Sequence, residues 1–337
     1  MRLTAVSAIN ERMSANAEEP DAVQKLLAAR KTIVNLATGG ALDRINQRAG
    51  RGQALRPWGI SMHGPLAGSP LAEADAAFLS AYPHPYLSNM PVTGEALYPA
   101  ANATENLSAV AVLVKEQENG QLYAGEVMQL CRSAMDSAAR AIWLLCDPSA
   151  EERASRGLTL VVNGLDEQAK FLGKQAAVLR SGTTIAPPEK FAQLADHSGK
   201  VDKALAHIKD TYTPTNFKGP LKTVTRAAAW IDGHRPAHDT GELAAGALLP
   251  NADSFYSMGS SPTHGLSWAT DYASGGGIFR MMSDGLFCAL IMTECAVALF
   301  ETLSRDPADA STPHEKARVP SNLEPTVQAW AQMFNTP

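Results

Sequence analysis

The sequence lacks several features that mark whole classes of protein. It has only four cysteines among 337 residues, which argues against a disulfide framework. No two of them have the C-x-x-C spacing that is typical of zinc ribbons and thiol oxidoreductases, so neither class is indicated. Basic residues do not exceed acidic ones, 29 against 34, so the chain as a whole has no charge that attracts phosphates. The G-x-S-x-G elbow of many serine hydrolases is also absent.

Patterns that direct a chain to a membrane are missing as well. The N-terminal apolar stretch is broken at residues 10–12, unlike the apolar run of a signal peptide. The most apolar run, residues 286–300, contains Thr293 and Glu294 and is shorter than the roughly 20 residues that span a bilayer. Together with the cysteine usage, these observations predict a cytoplasmic protein that has no membrane partner.

Helical periodicity is what the sequence has in abundance. Apolar residues recur every three or four positions, and no segment shows the period of two that is typical of strands. This pattern predicts an all-α fold, a helical bundle, in which the almost wholly apolar segment 278–304 lies at the centre. The predicted helices cover residues 21–47 (broken at Gly39 and Gly40), 71–81, 104–117, 122–146, 150–180, 196–211, 221–231, 278–304 and 326–333.

Composition divides the chain into four parts. We expect a flexible N-terminus over 1–20, an N-terminal helix with a Pro-rich irregular arm over 21–100, the bundle core over 101–304, and a C-terminal tail with a short helix over 305–337. The arm either packs on its own bundle or clasps a neighbouring molecule. Its irregularity is predicted from seven prolines: Pro57, Pro65, Pro70, Pro83, Pro85, Pro91 and Pro99.

The most specific local motif is Ser-Ser-Pro-Thr-His-Gly at residues 260–265. We predict that Ser261 caps a helix whose first residue is Pro262, which places His264 in the first turn. The positive end of the helix dipole favours a neutral imidazole there, able to accept a proton. This suits a general base or a ligand contact, and equally a structural histidine between two helices.

A polar arc on the predicted helix 122–146 is the second candidate. Arg132, Asp136 and Arg140 are four residues apart and would form a ladder of ion pairs, with Glu126 on the same side. The arc either faces water or, if a neighbouring helix covers it, becomes a charged cleft in which pKa values shift. We expect any catalytic cleft where His264 approaches Glu126, Asp136 and Arg140.

Two weaker motifs could bind a cofactor. His234 and His238 have acidic neighbours, but Gly233 and Pro236 disfavour the helix that would align two metal ligands, so we predict a polar loop and no metal. The glycine run 275–277 lacks the strand and lysine of a phosphate loop, so we predict a turn between helices and no cofactor.

The segment Tyr-Pro-His-Pro-Tyr at 82–86 contains two prolines. Such a segment is either a stiff, extended recognition element or a packed loop, and the sequence leaves both interpretations open.

Two stretches together resemble a known group of proteins. RSAMDSAARAIWLL at 132–145 and YSMGSSPTHG at 256–265 are similar to uncharacterised, mostly helical actinobacterial proteins related to HEPN-like domains. The resemblance implies a bundle of four or five helices, often dimeric, in a superfamily of metal-independent ribonucleases and RNA-binding, stress or phage-defence proteins.

Catalytic members of that superfamily have an arginine separated from a histidine by four to six residues. The corresponding positions before His264 hold Gly259, Met258 and Ser257, so the nuclease motif is incomplete. Arg56 and His63 have the required spacing, but they flank Pro57 and Gly59 in the irregular arm.

The sequence therefore predicts a cytoplasmic protein that acts by binding, as a homo-oligomer with an RNA or protein partner, and the resemblance implies an RNA- or defence-related role. One alternative is a HEPN-like ribonuclease in which His264 takes the 2′-hydroxyl proton and Arg140 binds the phosphate. The other is a structural component of a larger assembly, held to its neighbours by residues 56–100.

Overall fold

The computed structural model describes residues 24–25, 29, 40–61, 64–116, 121–181, 187–214, 217, 219–239, 241–305 and 319–334. Every regular element in these ranges is helical, which confirms the predicted all-α class. The predicted flexible N-terminus 1–20, most of the predicted helix 21–47 and residues 306–318 of the tail lie outside the described residues. The α-helices are α1 (Ala41–Ala54), α2 (Arg56–Ile60), α3 (Pro70–Ala81), α4 (Val92–Lys115), α5 (Ala124–Leu145), α6 (Ala150–Arg180), α7 (Pro188–Thr211), α8 (Pro220–Gly233), α9 (Leu248–Thr263), α10 (Gly277–Ser304) and α11 (Glu324–Phe334).

Helix α10 lies at the centre of the bundle because most of its side chains are apolar. Helices α1, α4, α5, α9 and α11 pack around it, and the segment 285–304 is buried throughout. With 28 residues α10 extends beyond the expected apolar run, and among the described helices it alone is long and apolar enough to cross a bilayer. Its most apolar window is wholly buried by its neighbours, as is typical of the core helix of a bundle.

The stretch 56–99 is more helical than its prolines predict. Pro57 and Pro70 lie in the first turns of α2 and α3, where the missing N–H has no helical partner to lose. Helix α4 begins at Val92 rather than at Thr104 and continues through Pro99. A proline inside a helix costs about 3 kcal/mol, but burial of one whole face of α4 offsets this cost.

This stretch packs on its own chain. Leu71, Phe78 and Leu87 are completely buried in the common core. Asp75 of α3 holds the start of α4 by accepting hydrogen bonds from the N–H and hydroxyl of Thr93, at 2.9 and 2.6 Å. These residues are therefore unavailable to clasp a neighbouring molecule.

The predicted helices do not include α9, and this omission makes the interpretation of the Ser-Ser-Pro-Thr-His motif wrong. Ser261 lies in the last turn of α9 and is not an N-cap, so His264 follows the C-terminal end of a helix. The true start of α9 is capped by Asp232, whose carboxylate accepts the N–H groups of Leu248 and Leu249 at 3.1 and 2.9 Å. Because this cap comes from the end of α8, the local sequence does not reveal it.

Candidate functional site

The predicted polar arc lies on α5, and α9 covers its middle. The hydroxyl of Tyr256 donates to the carboxylate of Asp136, with distances of 2.9 and 3.1 Å to its two oxygens. The guanidinium of Arg132 lies over the Tyr256 ring, 4.3 Å from its centroid. In the described part of the chain, no guanidinium nitrogen of Arg132 or Arg140 forms an ion pair within 4 Å of the Asp136 carboxylate. A helix–helix contact therefore replaces the expected ladder of ion pairs.

Covering the arc shifts the pKa values of its members. Burial raises the pKa of Asp136, and the hydrogen bond from Tyr256 and the two arginine charges only partly oppose this. The pKa of Tyr256 is raised to about 12 by its burial and by the nearby carboxylate of Asp136. Burial also raises the pKa of Glu95 on α4, against the charge of Arg140. The covered arc is thus a partly buried polar cluster with shifted pKa values, and Tyr256 and Glu95, which are not among the predicted site residues, interact with it.

Among the described residues, no hydrogen bond, ion pair or ring contact joins the side chain of His264 or Glu126 to this cluster. Glu126 is exposed in the first turn of α5, and His264 is exposed beyond α9, with its backbone N–H bonded to the Ser260 carbonyl at 3.0 Å. Among the described residues, no hydrogen bond, ion pair or ring contact joins the His264 ring to Asp136 or Arg140. The contacts that would assemble the expected catalytic cleft are thus not seen there. His63 lies outside the described residues.

A second polar cluster lies where α1 meets α10. Its centre is Glu294 of α10, whose side chain is 1% exposed and whose two oxygens accept from Arg51 of α1 at 2.7 and 3.2 Å. Arg51 also contacts Glu242 at 3.3 Å, and Glu242 lies 3.5 Å from Arg48. Two arginines and two carboxylates therefore balance one another in a largely buried site.

His238 lies against Glu294 in this cluster, and its side chain is 0% exposed. Its Nδ1 lies 2.7 Å from the Thr326 hydroxyl, which also accepts the backbone N–H of His238 at 2.9 Å. Its Nε2 lies 3.3 Å from the Glu294 carboxylate, but it is not aligned for a hydrogen bond and has no hydrogen-bond partner among the described residues. Because a lone pair at Nε2 would face a carboxylate, we assign the proton to Nε2, with Nδ1 accepting from Thr326.

A cavity of about 230 Å³ opens beside the Arg51–Glu294–His238 cluster. Its lining combines buried residues such as Leu55 and Glu294 with exposed ones such as Gln47 and Asn322. It is smaller than the roughly 300–1,000 Å³ of pockets that hold drug-sized ligands, and it therefore suits a smaller molecule. The lining residues are Gln47, Arg51, Ala54, Leu55, His238, Glu294, Pro320 and Asn322.

The other histidine of the predicted polar loop has a packing role. His234 stacks on Trp230, with centroids 4.6 Å apart, and its Nδ1 lies 2.8 Å from the Trp230 carbonyl oxygen. Within the ranges that the structure describes, no group of three or more His, Cys, Asp or Glu side chains could hold a metal ion.

The remaining two motifs also have packing roles. In segment 82–86, His84 stacks on His207 with centroids 4.8 Å apart, so this segment is a packed loop. Gly277 starts α10 against the preceding turn, and a Cβ there would overlap the carbonyl oxygen of Tyr272. A close backbone approach therefore explains this glycine.

The sequence singles out His238 as a residue type but does not identify its partners. Glu294 does give a signal, because an isolated carboxylate in an apolar helix must find a cationic or hydrogen-bonding partner when buried. That partner, Arg51, is 243 positions away. Local spacing cannot connect residues so far apart.

Comparison with known proteins gives no relative for this chain. No protein-family model matches it, and neither does any curated protein or solved structure. The site is therefore interpreted from its geometry, and the resemblance to HEPN-like proteins stays a prediction.

Proposed function

We propose that this protein binds a small polar molecule in the cavity between α1, α10 and the segment that leads into α11. The observation that carries this proposal is the cavity itself, which has a volume of about 230 Å³ and is lined by four polar residues from three segments of the chain: Gln47, Arg51, Glu294 and Asn322. The side chains of Gln47 and Asn322 are both on exposed residues of the lining, and an amide can donate and accept hydrogen bonds. A small polar molecule that enters the cavity can therefore hydrogen-bond to them.

The residues of the cavity come together only in the folded chain. Arg51 belongs to α1, Glu294 to α10 and Asn322 to the turn before α11. A ligand that needs all three binds the folded state and not the unfolded one. Its binding therefore stabilises the fold, by about 2.7 kcal/mol at a concentration 100 times the dissociation constant.

The test is a screen of molecules with fewer than about ten heavy atoms, sized to the cavity, followed by thermal unfolding and the ring signals of His238 in NMR. We expect ligands that raise the unfolding temperature and move the His238 signals. Gln47→Trp should abolish this binding, because Gln47 lies on the cavity rim.

The matched control is Gln53→Trp, which places the same bulk at an exposed site on α1 that does not line the cavity. It should leave binding unchanged. A screen without any ligand, or a ligand that Gln47→Trp and Gln53→Trp affect equally, contradicts the proposal.

The wider predictions stay proposals beside this one. They are a cytoplasmic location, a homo-oligomer and an RNA or protein partner. The HEPN-like ribonuclease that uses His264 and Arg140 stays an alternative prediction.

A further inference from the structure

We infer that two copies of this chain associate through the outward side of α4, in an antiparallel arrangement about a two-fold axis. The contact is made by a row of five exposed residues, the α4 row: Gly94, Tyr98, Glu105, Ala109 and Val112. The inference goes beyond the proposed binding cavity and does not depend on it. It gives the predicted homo-oligomer a defined surface and geometry.

The α4 row has few of the charges that usually cover an exposed helix face. Its members follow one another at intervals of three, four or seven positions, so they lie on one side of the helix. Only Glu105 is charged, whereas Tyr98 is 78% exposed and Val112 is 54% exposed. The exposed side of α7 carries four charged residues instead: Asp196, Lys200, Lys203 and Asp210. An uncharged row with a large exposed aromatic residue is typical of a helix face that a partner covers.

Helix α2 widens this surface on one side. Gly59 of α2 lies against α4, where an added Cβ would overlap the hydroxyl of Thr104. This close approach places the neighbouring Ile60 next to α4, and Ile60 is 61% exposed. At about 1.5 Å per residue the α4 row is about 27 Å long, and two adjacent helices are about 20 Å wide. Two such surfaces bury about 1,000 Å², at the lower end for specific interfaces, so we expect a reversible dimer with a micromolar dissociation constant.

The order of large and small residues along the α4 row sets the register. In a two-fold contact, residue i of one copy faces residue j of the other, and j faces i. An axis about half a turn before Glu105 places Tyr98 against Ala109 of the second copy and Val112 against Gly94 of the second copy. Each large side chain then meets a small one, which lets the two helices approach closely. An axis at Glu105 itself would oppose two carboxylates.

The charges of the surface are complementary in the same arrangement. Arg56 of α2 and Glu105 of α4 are both exposed, and in the part of the chain that the structure describes neither belongs to an ion pair. The proposed register turns Glu105 towards Ala101 of the second copy, on the side where α2 lies, so it approaches the helix that carries Arg56. One positive and one negative charge per copy leave no excess to attract nucleic acid or an anionic membrane.

The first test is sedimentation equilibrium of the full-length protein across the micromolar range. We expect an equilibrium between monomer and dimer. Tyr98→Ser should raise its dissociation constant at least about tenfold, because it removes the largest apolar contact without touching the core. The matched control is Phe171→Ser, which removes an aromatic ring that is 57% exposed on α6, away from the α4 row. It should leave the association unchanged.

A charge exchange tests the register. Glu105→Arg and Arg56→Glu each place like charges across the interface, and each alone should raise the dissociation constant at least about tenfold. The double variant restores opposite charges and should associate about as tightly as the wild type. If both single variants weaken association and the double variant does not recover it, the proposed register is wrong.

The remaining outcomes decide against the surface itself. A protein that stays monomeric at every concentration overturns the inference, and so does an oligomer that Tyr98→Ser and Phe171→Ser affect equally. If the monomer instead cosediments with lipid vesicles and Tyr98→Ser abolishes this, the face belongs to a membrane and not to a second copy. None of these outcomes bears on the cavity, whose ligand screen is read with Gln47→Trp and Gln53→Trp.

Discussion

The contact between Arg51 and Glu294 ties α1 to the central helix, and its strength is measurable by replacing each partner alone and both together. Glu294 is 1% exposed, whereas Arg51 is 23% exposed and also contacts Glu242 at 3.3 Å. Arg51→Met leaves a buried carboxylate without its two donated hydrogen bonds, and breaking a buried pair costs about 3–5 kcal/mol. Glu294→Met should cost less, about 1–3 kcal/mol, because Arg51 keeps Glu242 and some solvent.

The double variant should be more stable than the sum of these costs implies. With both partners replaced by Met, neither leaves an unpaired charge behind, and apolar replacement of a buried pair is often close to neutral. We therefore expect a coupling free energy of at least about 2 kcal/mol between the two sites. The measurement is urea unfolding, followed by far-ultraviolet circular dichroism, of the wild type, both single variants and the double variant.

The control for this cycle is an exposed ion pair of similar length. Lys200 and Asp196 on α7 are 2.7 Å apart, and their side chains are 65% and 63% exposed. Replacing them by Met in the same design should give a coupling below about 1 kcal/mol, because exposed ion pairs contribute little. If the costs of Arg51→Met and Glu294→Met simply add, the buried charges are not coupled and our account of the site is wrong.

Two further predictions concern packing and titration. Gly285→Ala should cost about 1–3 kcal/mol in the free energy of unfolding, because its Cβ would overlap the buried ring of Phe255 on α9. The control is Gly164→Ala, at an exposed position of α6 where no atom lies within 4 Å of the new Cβ. It should instead raise the free energy of unfolding by about 0.5–1 kcal/mol. Equal effects of the two substitutions would contradict this packing argument. The pKa of Tyr256 is raised to about 12, so the folded state favours the protonated phenol. The free energy of unfolding that this preference contributes is fully present below pH 10 and is lost as the pH rises towards about 12. Comparing the ultraviolet titrations of wild type and Tyr256→Phe isolates the ionisation of Tyr256. Asp136→Asn should lower the pKa of Tyr256, because it removes the nearby carboxylate charge. A Tyr256 transition near pH 10 in the wild type would show that the phenol is not buried against a carboxylate.

The sequence predicts well those helices whose buried stripe is continuous along the chain. The predicted helix 122–146 corresponds to Ala124–Leu145, and the predicted helix 150–180 has the observed bounds. A hydrophobic stripe repeats every three or four residues, so a short window of sequence contains the whole signal. For the same reason the apolar composition of α10 is sufficient to predict its central position.

Prolines and remote caps account for the local errors. Helix α4 continues through Pro99 because the packing of its whole length outweighs one lost hydrogen bond, and that packing partner is not visible in the local sequence. Helix α9 is missed because Asp232, at the end of α8, supplies the cap at its start. Both signals come from segments that meet only after folding.

The sequence by itself determined an all-α bundle, its central helix and the presence of a carboxylate, Glu294, within that helix. Only the tertiary structure decided that Arg51, Glu294 and His238 meet at a cavity, and that Tyr256 rather than an arginine is hydrogen-bonded to Asp136. The physical reason is the range of the interactions. Helix formation depends on neighbours three and four residues away, whereas a buried charge is stabilised by whichever distant segment the packing of the whole chain places beside it.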